Sequence, residues 1–332
     1  MPKPKTTPVG LSMTFLLLAA MALPAAAAAL TGNIAIHDPT IAVLEDGLVS
    51  FATGVERAPD GGQIRTKTSP DGLDWQEAGA LPGGMPDWVS AELGLTPPNL
   101  WAPSVFEKDG THYLYYAASS FGRNDSAIGL MTNSELEASD PTAGWVDRGI
   151  VLRSHRSDDF NAIDPFRIDS GGKAWLAFGS FWDGIGMVEL DPATGLALPG
   201  AERQPLASRG GGAIEAPAIL ERDGQFYLFV SFDKCCAGTA STYRIMVGRA
   251  DTITGLYRDR NGTPMLEGGG TELLSSDGRF RGPGGQEVFL RDGAPWLAYH
   301  WYDRDQGGLP KLALTPIGFD EEGWPVIAPP QL

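Results

Sequence analysis

Asp38, Asp164 and Glu215 stand at the same place in copies of one internal repeat, just before a proline that opens an apolar strand. Three carboxylates brought together in this way could cleave a glycosidic bond. That reaction takes one carboxylic acid to protonate the departing oxygen, and one carboxylate that attacks carbon or activates a water. A third negative charge has a use as well, because it raises the pKa of the acid and keeps it protonated near neutral pH. Asp before Pro is by itself a common turn signal. Agreement among three copies is what lifts these acids above that reading.

The elements that must position them form the repeat itself. The copies are Asp38-Pro39 with TIAVLEDGLVSFA, Trp101-Ala102-Pro103 with SVFEKDGTHYLYY, Asp164-Pro165 with FRIDSGGKAWLAF, and Glu215-Ala216-Pro217 with AILERDGQFYLFV. A fifth, QEVFLRDGAPWLAYHWY, lacks the proline. Each is a strand, a tight Asp-Gly or Gly-Gly hairpin turn and an aromatic-rich strand. Further strands follow in SAIGLMTNS, GIGMVELD and YRIMVGRADT. A period of roughly 50 to 70 residues with about four strands per copy predicts an all-β propeller. The first strand of each blade would line the central channel, so acids far apart in sequence gather at one mouth. Aromatic residues reach the same rim: Trp101 at the second entrance, Phe121 after that blade's second strand, and Phe181 and Trp182 after the corresponding strand of the third. Sugar faces stack on such rings, and Asn161 and Ser180 can bind hydroxyls.

The first 29 residues carry Lys3 and Lys5, an apolar run LSMTFLLLAAMALP and the alanines Ala25 to Ala29. This pattern predicts a secretory signal peptide over residues 1–29, followed by one catalytic propeller over residues 30–332. The apolar run is shorter than the roughly 20 residues of a membrane-spanning helix. The expected product is exported, to a periplasm or the medium, with no membrane association after cleavage. The net charge of −16 becomes −18 when the two lysines leave with the peptide. Such a charge excludes nucleic acid as a partner and disfavours a polyanionic substrate. The only cysteines, Cys235 and Cys236, are adjacent. An oxidising compartment permits a vicinal disulfide, and two free thiols are the other reading; neither makes a zinc site.

The motifs HDP (His37 to Pro39), NAIDP (Asn161 to Pro165), GSFWDGI (Gly179 to Ile185) and IEAP (Ile214 to Pro217) resemble glycoside hydrolase family 43. SFDKCCAGTASTYRIMVGRADTITGLY and MLEGGGTELL are similar to its α-L-arabinanases in particular. The resemblance spans nearly all of the chain after the signal peptide. It implies a five-bladed propeller and an inverting hydrolase acting on α-1,5-linked arabinan or arabino-oligosaccharides, endo-acting by default; a monomer is the separate expectation for its assembly. It also implies that Asp38 is the general base, Glu215 the general acid, and Asp164 the carboxylate that tunes and orients the acid. His37, Trp101, Phe121, Asn161, Ser180, Phe181 and Trp182 would border the substrate.

Two positions depart from the family pattern. Arabinanases carry a histidine in a GPGHN motif that helps hold a calcium or similar cation near the channel axis, and here the segment reads Gly282-Pro283-Gly284-Gly285-Gln286. Gly285 offers no ligand, which puts the cation in doubt. In WAPS, Ser104 replaces a common aspartate. His37 and His300 read as hydrogen-bonding scaffold. An exo-acting hydrolase, with MPDWVSAELGLTPPN and SHRSDDFNA walling the groove, and a binding propeller that has lost catalysis are the competing readings.

Overall fold

The computed structural model describes residues 28–56 and 58–331, together with Met1. The expected signal peptide lies outside the described residues except at its ends. Five antiparallel blades follow one another along the chain, and the aromatic-rich strand of each copy pairs with the copy's first strand as the repeat predicts. The innermost strands are Thr40–Leu44, Trp101–Lys108, Phe166–Ser170, Ile214–Arg222 and Phe280–Arg291. Each packs against its neighbours on either side, the fifth against the first, so the ring is closed. The second strands, such as Thr111–Ala118 and Gln225–Phe232, are buried on both faces because every blade is sandwiched between two others. Hence they read as largely apolar and aromatic runs, with Tyr115, Tyr116, Phe229 and Tyr299 fully buried.

At the entrance of each inner strand the backbone takes a left-handed turn. Asp38, Ala102, Asp164, Ala216 and Gly285 have φ of 51°, 36°, 54°, 53° and 58°. L residues other than glycine adopt this region rarely. Where the first two strands pair across it, the ladder skips two residues: Ala102-Pro103, Ala216-Pro217 and Gly285-Gln286. Proline has no N–H to leave unpaired in such a bulge, so it fits there. The fifth copy lacks proline and makes the same turn with glycine. This frame corrects one detail of the repeat. Asp38 and Asp164 are the left-handed residues themselves, whereas Glu215 stands one position earlier, in line with His37, Trp101 and Gly284. The carboxylates therefore come from two adjacent rungs of the ring.

The last blade has three strands of its own, Phe280–Arg291, Ala294–Asp303 and Leu309–Pro316. Its outer edge is completed by the start of the chain: Ile36 N donates to Pro310 O (3.1 Å) and Leu312 N to Ile34 O (2.8 Å). Thr31–Gly32 then runs parallel to the outer strand of blade 1, Asp74–Ala80. Ile36 seals this seam in a buried cluster with Ile41, Trp75, Phe289 and Leu312. The long insert after blade 1 folds into the helix Asp87–Leu93, which buries Val89 and Leu93.

Truncating a buried isoleucine costs about 2–5 kcal/mol, since transfer energy is lost and a cavity is left. Ile36→Ala is expected to destabilise by that amount in urea unfolding with little change of slope. Val43→Ala, on an exposed strand position, is expected to change stability by about 0.5 kcal/mol or less.

Candidate active site

One mouth of the ring opens into a cavity of about 1080 Å³. Drug-sized ligands occupy about 300–1,000 Å³, so this space accommodates several sugar units. Asp38, Asp164 and Glu215 all face it, as do His37, Trp101, Phe121, Asn161, Ser180, Phe181 and Trp182. Trp101 and Phe121 lie with ring centroids 5.0 Å apart. Phe121 is 72% exposed, and Phe181 also presents its ring to solvent. Asn161 is buried, and its Oδ1 is taken by Ser126 Oγ (2.7 Å), which leaves its amide nitrogen as the free donor. The helix Asp87–Leu93 contributes nothing to the cavity wall.

Each carboxylate has a distinct set of partners. Asp38 Oδ2 accepts from His37 Nδ1 (2.7 Å) and from Thr53 Oγ1 (2.7 Å). Thr53 Oγ1 in turn accepts from Ala102 N of the next blade (2.9 Å). Glu215 Oε1 accepts from Tyr243 Oη (2.7 Å), and Oε2 from Ser180 Oγ (2.8 Å). Asp164 Oδ2 accepts from Ala216 N (3.0 Å), the residue adjoining Glu215.

These partners separate the acids electrostatically. Burial acts to raise Asp38, but the His37 imidazole, then His300 and Thr53, overcome it and hold the carboxyl below the usual range. Burial raises Glu215; the Tyr243 and Ser180 hydroxyls oppose it only in part, and the charge of Asp38 adds to the rise. Asp164 is pushed well above the carboxylate range by burial and by the charges of Glu215 and Asp38. Like charges at close quarters do not all ionise. Asp38 is thus the ionised member, while Asp164 and Glu215 together retain a proton.

The channel below the acids does not fit the family's cation. A Cβ at Gly285 would press on Asp38 Oδ1 and the His300 ring, leaving no room for an imidazole. Gln286 is spent on both ends, Nε2 donating to Ala216 O and Oε1 accepting from Ser231 Oγ. Glu287 accepts from Ser104 Oγ (2.9 Å), and burial raises its pKa well above normal. Ser104, where the family has aspartate, is therefore the partner of a carboxyl supplied from the opposite side. His300 Nδ1 accepts from Asp38 N (3.2 Å), which leaves the hydrogen on its unpartnered Nε2. A ring nitrogen bearing hydrogen has no lone pair for a metal.

A five-bladed ring with three electrostatically separated carboxylates in an aromatic-lined cavity defines a glycoside hydrolase. The family model of glycosyl hydrolases family 43 matches residues 31–325, and the chain belongs to this family. It is 40% identical to the extracellular endo-α-(1→5)-L-arabinanase 1 of Bacillus subtilis (strain 168) over 296 residues, 88% of each chain. It is 35% identical to the extracellular exo-α-(1→5)-L-arabinofuranosidase ArbA of Cellvibrio japonicus (strain Ueda107), over 93% of this chain and 91% of that one. Among solved structures, the family 43 endo-arabinanase of Bacillus licheniformis superposes with a TM-score of 0.83 at 40% identity, covering 90% of this chain and 99% of the other.

Thr53, Tyr243, Tyr302 and the Cys235–Cys236 pair also belong to the site and were not singled out as site residues from sequence. Thr53 follows its strand, Gly47–Ala52, with no marker. Tyr243 lies in the STY segment just after the cysteines, so its place beside a distinctive motif was the available signal.

Tyr243→Phe keeps the ring and removes a donor that favours ionised Glu215. A hydrogen bond to a charged group contributes about 1.5–3 kcal/mol, and one pKa unit corresponds to about 1.4 kcal/mol. The Glu215 titration is therefore expected to move upward by about one unit, read from the carboxyl-carbon NMR shift. No upward movement would mean that this hydroxyl does not support the carboxylate.

Proposed function

We propose that this protein is an exported, monomeric, endo-acting hydrolase of α-1,5-linked L-arabinan that works by single displacement with inversion. The distinct partner sets of the three carboxylates carry the reading: Asp38 is held by the His37 imidazole and Thr53, whereas Glu215 is held by the neutral Tyr243 and Ser180 hydroxyls, with Asp164 bonded to the adjoining Ala216 amide. Asp38 takes a proton from water as the oxygen attacks the anomeric carbon. Glu215 gives its proton to the departing glycosidic oxygen, and Tyr243 and Ser180 then stabilise the carboxylate that remains. Asp164 orients Glu215 through the Ala216 amide and raises its proton affinity. Trp101, Phe121, Phe181 and Trp182 offer faces for the sugar rings, and Asn161 and Ser180 offer polar contacts, while both ring nitrogens of His37 are taken by Asp38 and Tyr302.

Endo action is supported by the endo-acting relatives at 40% identity and by the helix Asp87–Leu93, which packs on the core instead of walling the cavity. Export is supported by the N-terminal pattern and the extracellular relatives. Among the described residues no helix is long and apolar enough to cross a membrane. The reaction as proposed routes no step through an axial cation, because Gly285 offers no ligand and Gln286 and Glu287 are bonded to protein partners.

Purified protein should cut linear α-1,5-arabinan into mixed oligomers at early times, and Glu215→Ala should lose nearly all of this activity, about 10²-fold or more for loss of a general acid. A single small product from the start would instead establish exo action. Dialysis against EDTA should leave kcat within about twofold; abolition of activity, restored by calcium, would refute the cation-free reading.

A further inference from the structure

Cys235 and Cys236 are joined in a vicinal disulfide at the cavity wall. The loop carrying them links the second and third strands of blade 4. Its far side is pinned by Ala237 N donating to Ser241 Oγ (2.9 Å) and by Thr242 N and Tyr243 N donating to Lys234 O (3.0 and 3.1 Å). Within it Cys236 has φ of 60°, a left-handed conformation that L side chains disfavour. In that conformation the Cys236 amide donates to Tyr302 Oη (3.0 Å). Tyr302 Oη shares a hydrogen bond with His37 Nε2 (2.8 Å), and His37 Nδ1 donates to Asp38 Oδ2 (2.7 Å). The disulfide also lies along the imidazole edge, with each Sγ 3.8 Å from His37 Nε2 and Cys235 Sγ 3.5 Å from Tyr302 Oη. On its other face His37 stacks on His300, centroids 3.9 Å apart.

We propose that the Cys235–Cys236 disulfide is a positioning element for Asp38, acting through Tyr302 and His37. A bond between neighbouring side chains closes a small ring that restrains both residues' backbone angles, and so keeps the Cys236 amide aimed at Tyr302. Without the bond, Cys236 is held left-handed only by its amide's bond to Tyr302 and by the Ala237 amide's bond to Ser241, which allow it to relax. Once it relaxes, Tyr302 loses its donor and His37 can turn on its stack. The orientation of Asp38 toward the attacking water then loosens, while the aromatic faces that bind sugar stay in place. The consequence is a loss in kcat with little change in KM. The inference rests on Asp38 acting as the base.

The chain has two cysteines, so a reductant has this one disulfide to act on. A water-soluble phosphine breaks the S–S bond to two thiols and is itself oxidised to the phosphine oxide, with water supplying the oxygen and the two protons. Kinetics on linear α-1,5-arabinan are measured before and after reduction, with thiol titration to show that both thiols have formed. The expected result is a fall in kcat of about 10- to 100-fold, the size of a misplaced reacting group, with KM within about twofold. The acid limb of the pH profile should move upward, because an ill-held His37 stabilises ionised Asp38 less. The other groups facing Asp38 and His37, namely Asp164, Glu215, His300, Thr53 and Tyr243, are untouched by the reductant. Tyr302→Phe should lower kcat similarly with the disulfide intact. Cys235→Ala/Cys236→Ala should behave like the reduced protein and not respond to phosphine.

Unchanged kcat in protein shown to carry two thiols would overturn the proposal. So would a rise in KM at constant kcat, which would make the disulfide a wall for substrate only. An oxidised protein that hydrolyses arabinan and loses this with Asp38→Asn leaves the functional reading standing whichever way the reduction experiment falls. An inactive oxidised protein overturns both.

Discussion

Three carboxylates facing one cavity cannot all carry full charge, and the surroundings of the site follow from how that repulsion is resolved. Both nearby imidazoles are turned to Asp38: His37 donates to its carboxylate, and His300 accepts from its amide. Glu215 and Asp164 receive only neutral donors, two hydroxyls and one backbone amide. Burial acts on all three acids, and only at Asp38 is it outweighed by an imidazole, so a base and a proton donor coexist a few side chains apart. The same logic extends to Glu287, sunk beneath the site against Ser104, where burial pushes its pKa well above normal.

The ring makes this division possible by drawing each group from a different blade. At every inner-strand entrance the left-handed turn presents one side chain to the mouth and the preceding residue beside it. The chain uses both rungs: Asp38 and Asp164 from one, His37, Trp101 and Glu215 from the other. The turn costs strain at non-glycine positions, and inter-blade bonds offset it, such as Ala216 N to Asp164 and Ala102 N to Thr53.

Much of this was legible before any coordinates. The repeat fixed blade number and strand pairs because hairpin turns and apolar runs are local signals, and the five strand pairs form where the copies place them. The three carboxylates were legible because they recur. What escaped was whatever depends on the closed ring. Nothing near Tyr302 in the sequence says that its hydroxyl meets a residue 265 positions away. That Glu215 stands one rung off from Asp38 was concealed by treating Glu-Ala-Pro and Asp-Pro as one motif. The substitution of Gly285 was visible, but only the crowding by Asp38 and His300 turns a missing ligand into a site with no space for one.

The seam between the last blade and the start of the chain carries more than mechanical closure. Asp38 belongs to the first blade, while His300 and Tyr302, which set its amide, its imidazole and its charge, belong to the fifth. During synthesis or refolding, four blades could pair their strands and Glu215 could already meet Tyr243 and Ser180, yet the base would stand without its supporting rings. Hydrolytic competence therefore arrives with the final strands, so that an unfinished or frayed chain is catalytically silent and activity itself reports that the circle has shut.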